Sequence, residues 1–161
     1  MCSGGMISSL RLTKVVAHTE ELTMTQSIAL SNSASLSAPA SLAGRVLLSA
    51  IFILSGISKV SAPAAMIGYI ESVGLPVPTV ALALAVLVEL VGGIALILGY
   101  QTRLVAAALA IFSVATALAF HNQLGDQNQF IHFFKNIAMA GGLLQVVAFG
   151  AGRFSLDARR A

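Results

Sequence analysis

Residues 79–98 read TVALALAVLVELVGGIALIL, a run with one charged side chain in it. A stretch of roughly 20 mainly apolar residues is what an α-helix needs to cross the hydrocarbon core of a bilayer. Three more stretches share this character: 42–60, LAGRVLLSAIFILSGISKV; 104–120, LVAAALAIFSVATALAF; and 133–149, FFKNIAMAGGLLQVVAF. No alternating strand pattern appears in them. Inside a bilayer every backbone polar group must be bonded within the protein, which leaves helices as the spanning form. The composition agrees. Of the 161 residues, 57% are hydrophobic and 9% charged, whereas a soluble domain carries about 25% charged residues to wet its surface. The sequence therefore predicts an all-α, polytopic membrane protein: a four-transmembrane-helix bundle over 42–151 with a lipid bilayer as its solvent.

The connections suit that plan. Gly99-Tyr100-Gln101-Thr102-Arg103 is a tight turn, with Gly99 where a helix C-cap glycine belongs. The polar stretch 121–132, HNQLGDQNQFIH, joins spans three and four. Between spans one and two, Met66, Tyr69, Ile70 and Val73 recur at helical spacing after Pro63, until Gly74-Leu75-Pro76 stops the pattern. A short interfacial helix is expected there, with a plain loop as the alternative. Residues 1–41 are Ser- and Ala-rich toward their end (SIALSNSASLSAPAS, 27–41) and are expected to be a disordered tail, with Met24 a second candidate start. Residues 152–161 form a short basic tail.

Lys and Arg in short loops set orientation. With both termini in the cytoplasm, Arg11, Lys14, Arg103, Arg153, Arg159 and Arg160 lie inside, and Lys59 and Lys135 lie outside at helix ends. The expectation is N-in and C-in, with Arg45 and Arg103 as cytoplasmic-side anchors.

Much chemistry is excluded. Cys2 is the one cysteine, so this chain alone cannot exchange a dithiol or hold an iron–sulfur cluster. His18 is in the tail, and His121 and His132 flank the outer loop, which argues against haem or a bound metal. There is no phosphate-cradling glycine loop, nucleophile elbow or zinc-protease helix. A net charge of +3 makes no basic stripe for nucleic acid.

Glu89 stands near the middle of span two, where an ionisable group costs roughly 2.5–3.5 kcal/mol to insert. It should face the bundle and have a partner. Gly92 and Gly93 follow on its face and invite a close helix. On span one, Arg45, Ser49, Phe52, Gly56 and Lys59 form a stripe at helical spacing. Lys59 leans toward Glu89 across roughly 12 Å of depth, while Arg45 leans away from the centre. With His121 at the end of span three and Lys135 and Asn136 at the start of span four, an outer-half binding or proton-handling cluster is expected: Glu89, Lys59, His121, Lys135 and Asn136. The plain readings are interfacial snorkelling for the two lysines, a loop residue for His121 and an inter-helix hydrogen bond for Glu89. Gly56, Gly92, Gly93, Gly141 and Gly142 are expected to pack helices together, and Gln145, projecting opposite Asn136, to make a helix–helix contact.

Taken in order, Gly44-Arg45 with Phe52, Ser55-Gly56-Ile57-Ser58-Lys59, Gly74-Leu75-Pro76, Glu89-Leu90-Val91-Gly92-Gly93, Gly99 with Thr102-Arg103, Ala119-Phe120-His121, Phe134-Lys135-Asn136 and Gly141-Gly142 resemble the DoxX family of small four-helix membrane proteins. The tail from Gly152 to Asp157 fits as well, so the likeness covers about 41–158. The resemblance implies a subunit or accessory of a membrane redox system, quinone-linked or tied to oxidative stress, which need not itself be catalytic. Its implied partners are a membrane or peripheral oxidoreductase subunit, or further copies of the chain, and a quinone is the one ligand it suggests. The competing readings are a small proton-coupled transporter with Glu89 as its coupling carboxyl, and a scaffold without ligand.

Overall fold

Five helices follow one another: α1 (Ser37–Ser61), α2 (Pro63–Ser72), α3 (Pro78–Leu98), α4 (Thr102–Phe120) and α5 (Gln127–Phe149), with a 3-10 turn at Asp157–Arg159. The computed structural model describes Gln26 and residues 37–160, and among these there is no strand. Pro39 onward is one compact unit; of the unit before it, Met1–Ala38, Gln26, Ser37 and Ala38 are described, and all three are helical. The four longer helices are each long and apolar enough to cross a membrane.

Two boundaries differ from the sequence reading. Residues 37–41 belong to α1 rather than to a disordered tail. Ala38 and Ala40 are strong helix formers, and a helix extends cheaply from a span that is already formed. The rest of the expected tail lies outside the described residues, apart from Gln26. The fourth span begins at Gln127, six residues earlier than 133, because the Asp126 carboxylate caps it by accepting the Gln129 amide at 2.9 Å. Helix α2 forms where a short helix was expected, with Pro63 in its first turn.

The helices carry large apolar residues on their outer faces and bury several polar ones within the bundle. Leu47, Leu54, Leu84, Ile111 and Leu144 point outward. Arg45, Ser49, Glu89, Thr102, Ser113 and Asn136 are buried. Helices α1 and α3 close on each other through reciprocal glycines. A methyl on Gly56 would stand 2.7 Å from Leu90 Cδ2, and one on Gly93 would stand 2.8 Å from Ile53 Cγ1. A methyl on Gly92 would stand a less severe 3.1 Å from Leu109 Cδ2 of α4, and Gly142 makes ordinary contact with Leu48 of α1. Gly141 is a correction: it faces open space, since one residue along a helix is about 100° round it. Gln145 is likewise exposed.

The end of the bundle nearest the C-terminal segment is filled by Phe52, Leu96, Leu109 and Leu143 and tied by Arg45. Arg45, expected as an anchor on the cytoplasmic side, is fully buried. Its Nη1 donates to the carbonyls of Leu96 and Ile97, 3.0 Å each, and its Nη2 to that of Phe154. The last carbonyls of a helix have no partner within it and carry partial negative charge, so a guanidinium at the end of α3 satisfies both needs. Gly99 ends α3 in a Schellman turn, with φ +68°, the Tyr100 amide donating to Ala95 O at 3.0 Å and its own amide to Leu96 O at 3.3 Å. Asp157 caps α4 in turn, accepting the Gln101 and Thr102 amides at 2.8 Å and the Thr102 hydroxyl at 2.7 Å. These hydrogen bonds, the Thr102 hydroxyl foremost, hold the Asp157 carboxyl below the usual carboxylate range. Arg103 is exposed and passes beside Gly150.

Candidate functional site

At the opposite end, toward the α1–α2 and α4–α5 connections, the helices enclose a cavity of about 520 Å³. Its apolar wall includes Ile51, Phe52, Leu82, Phe112 and Met139, and α2 covers it with Met66, Tyr69 and Ile70. Tyr69 is fixed to the end of α4: its ring packs on Phe120 at 5.4 Å between centroids, and its hydroxyl donates to Phe120 O at 3.3 Å.

The polar wall has two groups. The first lies between α1 and α3. Lys59 Nζ stands 2.9 Å from both carboxylate oxygens of Glu89 and 2.7 Å from Ser55 Oγ, and Ser55 Oγ donates to Glu89 Oε1 at 3.1 Å. Lys59 and Ser55 are one helical turn apart, so they present a two-pronged donor to one carboxylate. The reciprocal glycine seam sets the spacing, since it brings the α1 backbone against α3 beside Glu89. The pair is unevenly buried, with 23% of the Lys59 side chain exposed and 5% of Glu89. Direct contact spans the depth gap between them, and Ser55 Oγ bridges the pair as well.

The second group joins α4 to α5. The rings of His121 and His132 stack at 5.0 Å. His121 Nδ1 is 2.8 Å from Gln129 Oε1, and His132 Nδ1 is 2.9 Å from Lys135 Nζ. An ammonium can only donate, so His132 Nδ1 accepts and carries no proton in this contact. Asn136 is buried one turn on and donates to His132 O at 2.9 Å. All of Lys59, Glu89, His121, His132, Lys135 and Asn136 line the cavity.

The five residues singled out from the sequence thus reach one cavity, although they form two separate hydrogen-bonded groups. Sequence reasoning missed three others. His132 was placed in a loop, but the earlier start of α5 puts it on a helix; Asp126 followed three residues on by Gln129 is the helix-start signal that could have shown this. Ser55 lies four residues before Lys59, a spacing that could have marked it as a shared donor. Tyr69 had no distinguishing signal beyond the helical spacing of α2. Among the described residues, no group of three or more His, Cys, Asp or Glu comes close enough to hold a metal ion.

The DoxX family model matches residues 40–122, which carry α1 to α4 and hence Lys59, Glu89 and His121. The chain is 35% identical over 107 residues to the inner membrane protein YqjF of Escherichia coli, an alignment covering 66% of this chain and 81% of that one. It is 33% identical over 114 residues to the inner membrane protein YphA of the same organism, covering 68% and 81%. No solved structure matches. With half the chain inside the family model, and a relative above 30% identity aligned over two thirds of it, this four-span membrane protein belongs to the DoxX family.

Proposed function

We propose that this protein binds a membrane quinone in the cavity between the connections, as a subunit or accessory of a redox system in the bacterial inner membrane, with both termini in the cytoplasm. The observation that carries the reading is the cavity itself. Its volume of about 520 Å³ lies within the 300–1,000 Å³ of small-molecule sites. Such sites are mostly apolar with a few convergent polar groups, and this wall has that make-up. A quinone ring has two carbonyl acceptors and an apolar face. Lys135 and Asn136 supply donors, while Phe52, Phe112 and Met139 supply the surface on which a ring can lie. Reduction of a quinone takes two electrons, which the partner oxidoreductase of this reading supplies, and two protons. The Lys59–Glu89 pair and the two imidazoles are the groups on this wall able to pass the protons.

Binding is favoured over permeation by what lies beneath. Phe52, Leu96, Leu109 and Leu143 fill the bundle between the cavity and Arg45. A transported solute would have to displace that core, although Glu89 would suit the coupling role.

The test is purification from native membranes in a gentle detergent, followed by mass spectrometry of extracted quinones and co-purifying proteins. About one quinone per chain is expected from the wild type, and much less from Ala115→Phe, which fills the cavity. Equal quinone in both, or none in either, would remove this function. A reporter fused at Arg160 should remain cytoplasmic, and one at Gly125 should face outward.

A further inference from the structure

A second cavity, also about 520 Å³, lies on the outer side of α1 and α3. Val60, Pro63, Ala83, Leu87 and Leu90 line it, and Lys59 is its one charged wall residue. Val60, Leu87 and Val91 on this face are more than half exposed, so in a bilayer the groove is open to acyl chains. Two residues, Lys59 and Leu82, belong to the walls of both cavities. The inner cavity and the lipid are therefore separated here by a partition one side chain thick.

Leu82 and the Lys59 stem are apolar and flexible, and a lysine stem can lie along hydrocarbon while its ammonium stays on a polar partner. Here that partner is Glu89, 2.9 Å away on the inner side. Rotation about the stem opens the wall without stranding the ammonium in lipid, because Ser55 Oγ is a second inner partner at 2.7 Å.

We propose that the cavity is reached sideways from the bilayer, between Lys59 and Leu82, and that the bound ligand is a tailed amphiphile whose hydrocarbon chain stays in the outer groove. This rests on the quinone reading for the identity of the head group, but not for the route. The groove, apolar except for Lys59, fits a prenyl or alkyl chain. A head group alone would leave it unused.

The chain has no tryptophan, so a single introduced one is a local reporter. Phe112→Trp reports from the cavity and Leu87→Trp from the groove. Each is reconstituted in phosphatidylcholine nanodiscs and titrated with decylubiquinone and with its tail-less parent, 2,3-dimethoxy-5-methyl-benzoquinone. Decylubiquinone should quench both reporters saturably with one affinity, and the tail-less ring should quench Phe112→Trp alone. Adding Ala83→Phe, which narrows the groove at an exposed position, should weaken decylubiquinone at Phe112→Trp about tenfold and leave the tail-less ring unchanged. If decylubiquinone binds at Phe112→Trp regardless of Ala83→Phe and without touching Leu87→Trp, the sideways route is wrong and the quinone site stands. If neither quinone quenches Phe112→Trp saturably, the quinone reading fails, and nanodiscs of chain-brominated phosphatidylcholine decide the route. Bromine quenching of Phe112→Trp that Ala83→Phe relieves would keep the route, and quenching that Ala83→Phe does not change would remove it.

Discussion

Arg45 Nη1 lies directly against Gly99, so that a side chain on Gly99 would run into it. The glycine is needed twice over: its φ of +68° is one that L residues rarely adopt, and Ser155 together with the Arg45 guanidinium takes the room a Cβ would occupy. Replacing Gly99 by Ala should cost about 2–5 kcal/mol, the sum of left-handed strain and overpacking. Thermal unfolding in detergent would measure it, with Gly68→Ala as a control in a helical position with open space around it. Equal stability of the two variants would show that Arg45 is not confined as described.

The seam between α1 and α3 gives a second contrast. Gly93→Ala would press on Ile53 and should destabilise by about 1–3 kcal/mol. Gly141→Ala meets nothing and should be neutral or slightly stabilising, as expected for alanine in a helix. A comparable loss at Gly141 would mean that another molecule covers that face.

Lys59 and Glu89 should be coupled. Lys59→Met alone leaves a nearly buried carboxylate with Ser55 as its remaining donor, a loss of about 1–3 kcal/mol. The Lys59→Met, Glu89→Gln double variant should lose less than the sum of the singles. A double-mutant cycle of denaturation in detergent reads the coupling directly, and additive losses would contradict the contact.

Asp157 predicts an acid-sensitive end to the bundle. Its folded pKa is depressed, chiefly by the Thr102 hydroxyl and amide. Its contribution is therefore fully present above the ordinary carboxylate pKa and is lost as pH falls through the lowered one. Stability measured between pH 7 and pH 2 should fall at the acid end by more in the wild type than in Asp157→Asn, which starts lower. Parallel curves would exclude the cap.

The fold was legible because hydropathy over some 20 residues reports a span regardless of tertiary detail. Glu89 could be placed inward, and next to Lys59, because a carboxylate in lipid has so few alternatives. What was not legible depended on contacts between distant segments. The burial of Arg45 could not be read from the sequence, because its partners are the carbonyls of Leu96, Ile97 and Phe154, which carry no side-chain signature. Gly141 and Gly142 look alike in sequence, and only the position of Leu48 separates them. His132 was hidden by a helix boundary, the least certain thing that periodicity gives.

The guanidinium of Arg45 also has a history during synthesis. Two of its acceptors lie 51 and 52 residues downstream, and the third, Phe154 O, lies 109 residues downstream. At about 5–20 residues per second, that last acceptor leaves the ribosome roughly 5–20 s after Arg45 does. Until then the first span carries a cation that α3 alone can only partly satisfy, and it has reason to linger near the membrane surface or the insertion machinery. The seating of α1 is thus completed by a segment made 109 residues after Arg45, and a chain stalled before Phe154 would hold α1 with its guanidinium only partly bonded.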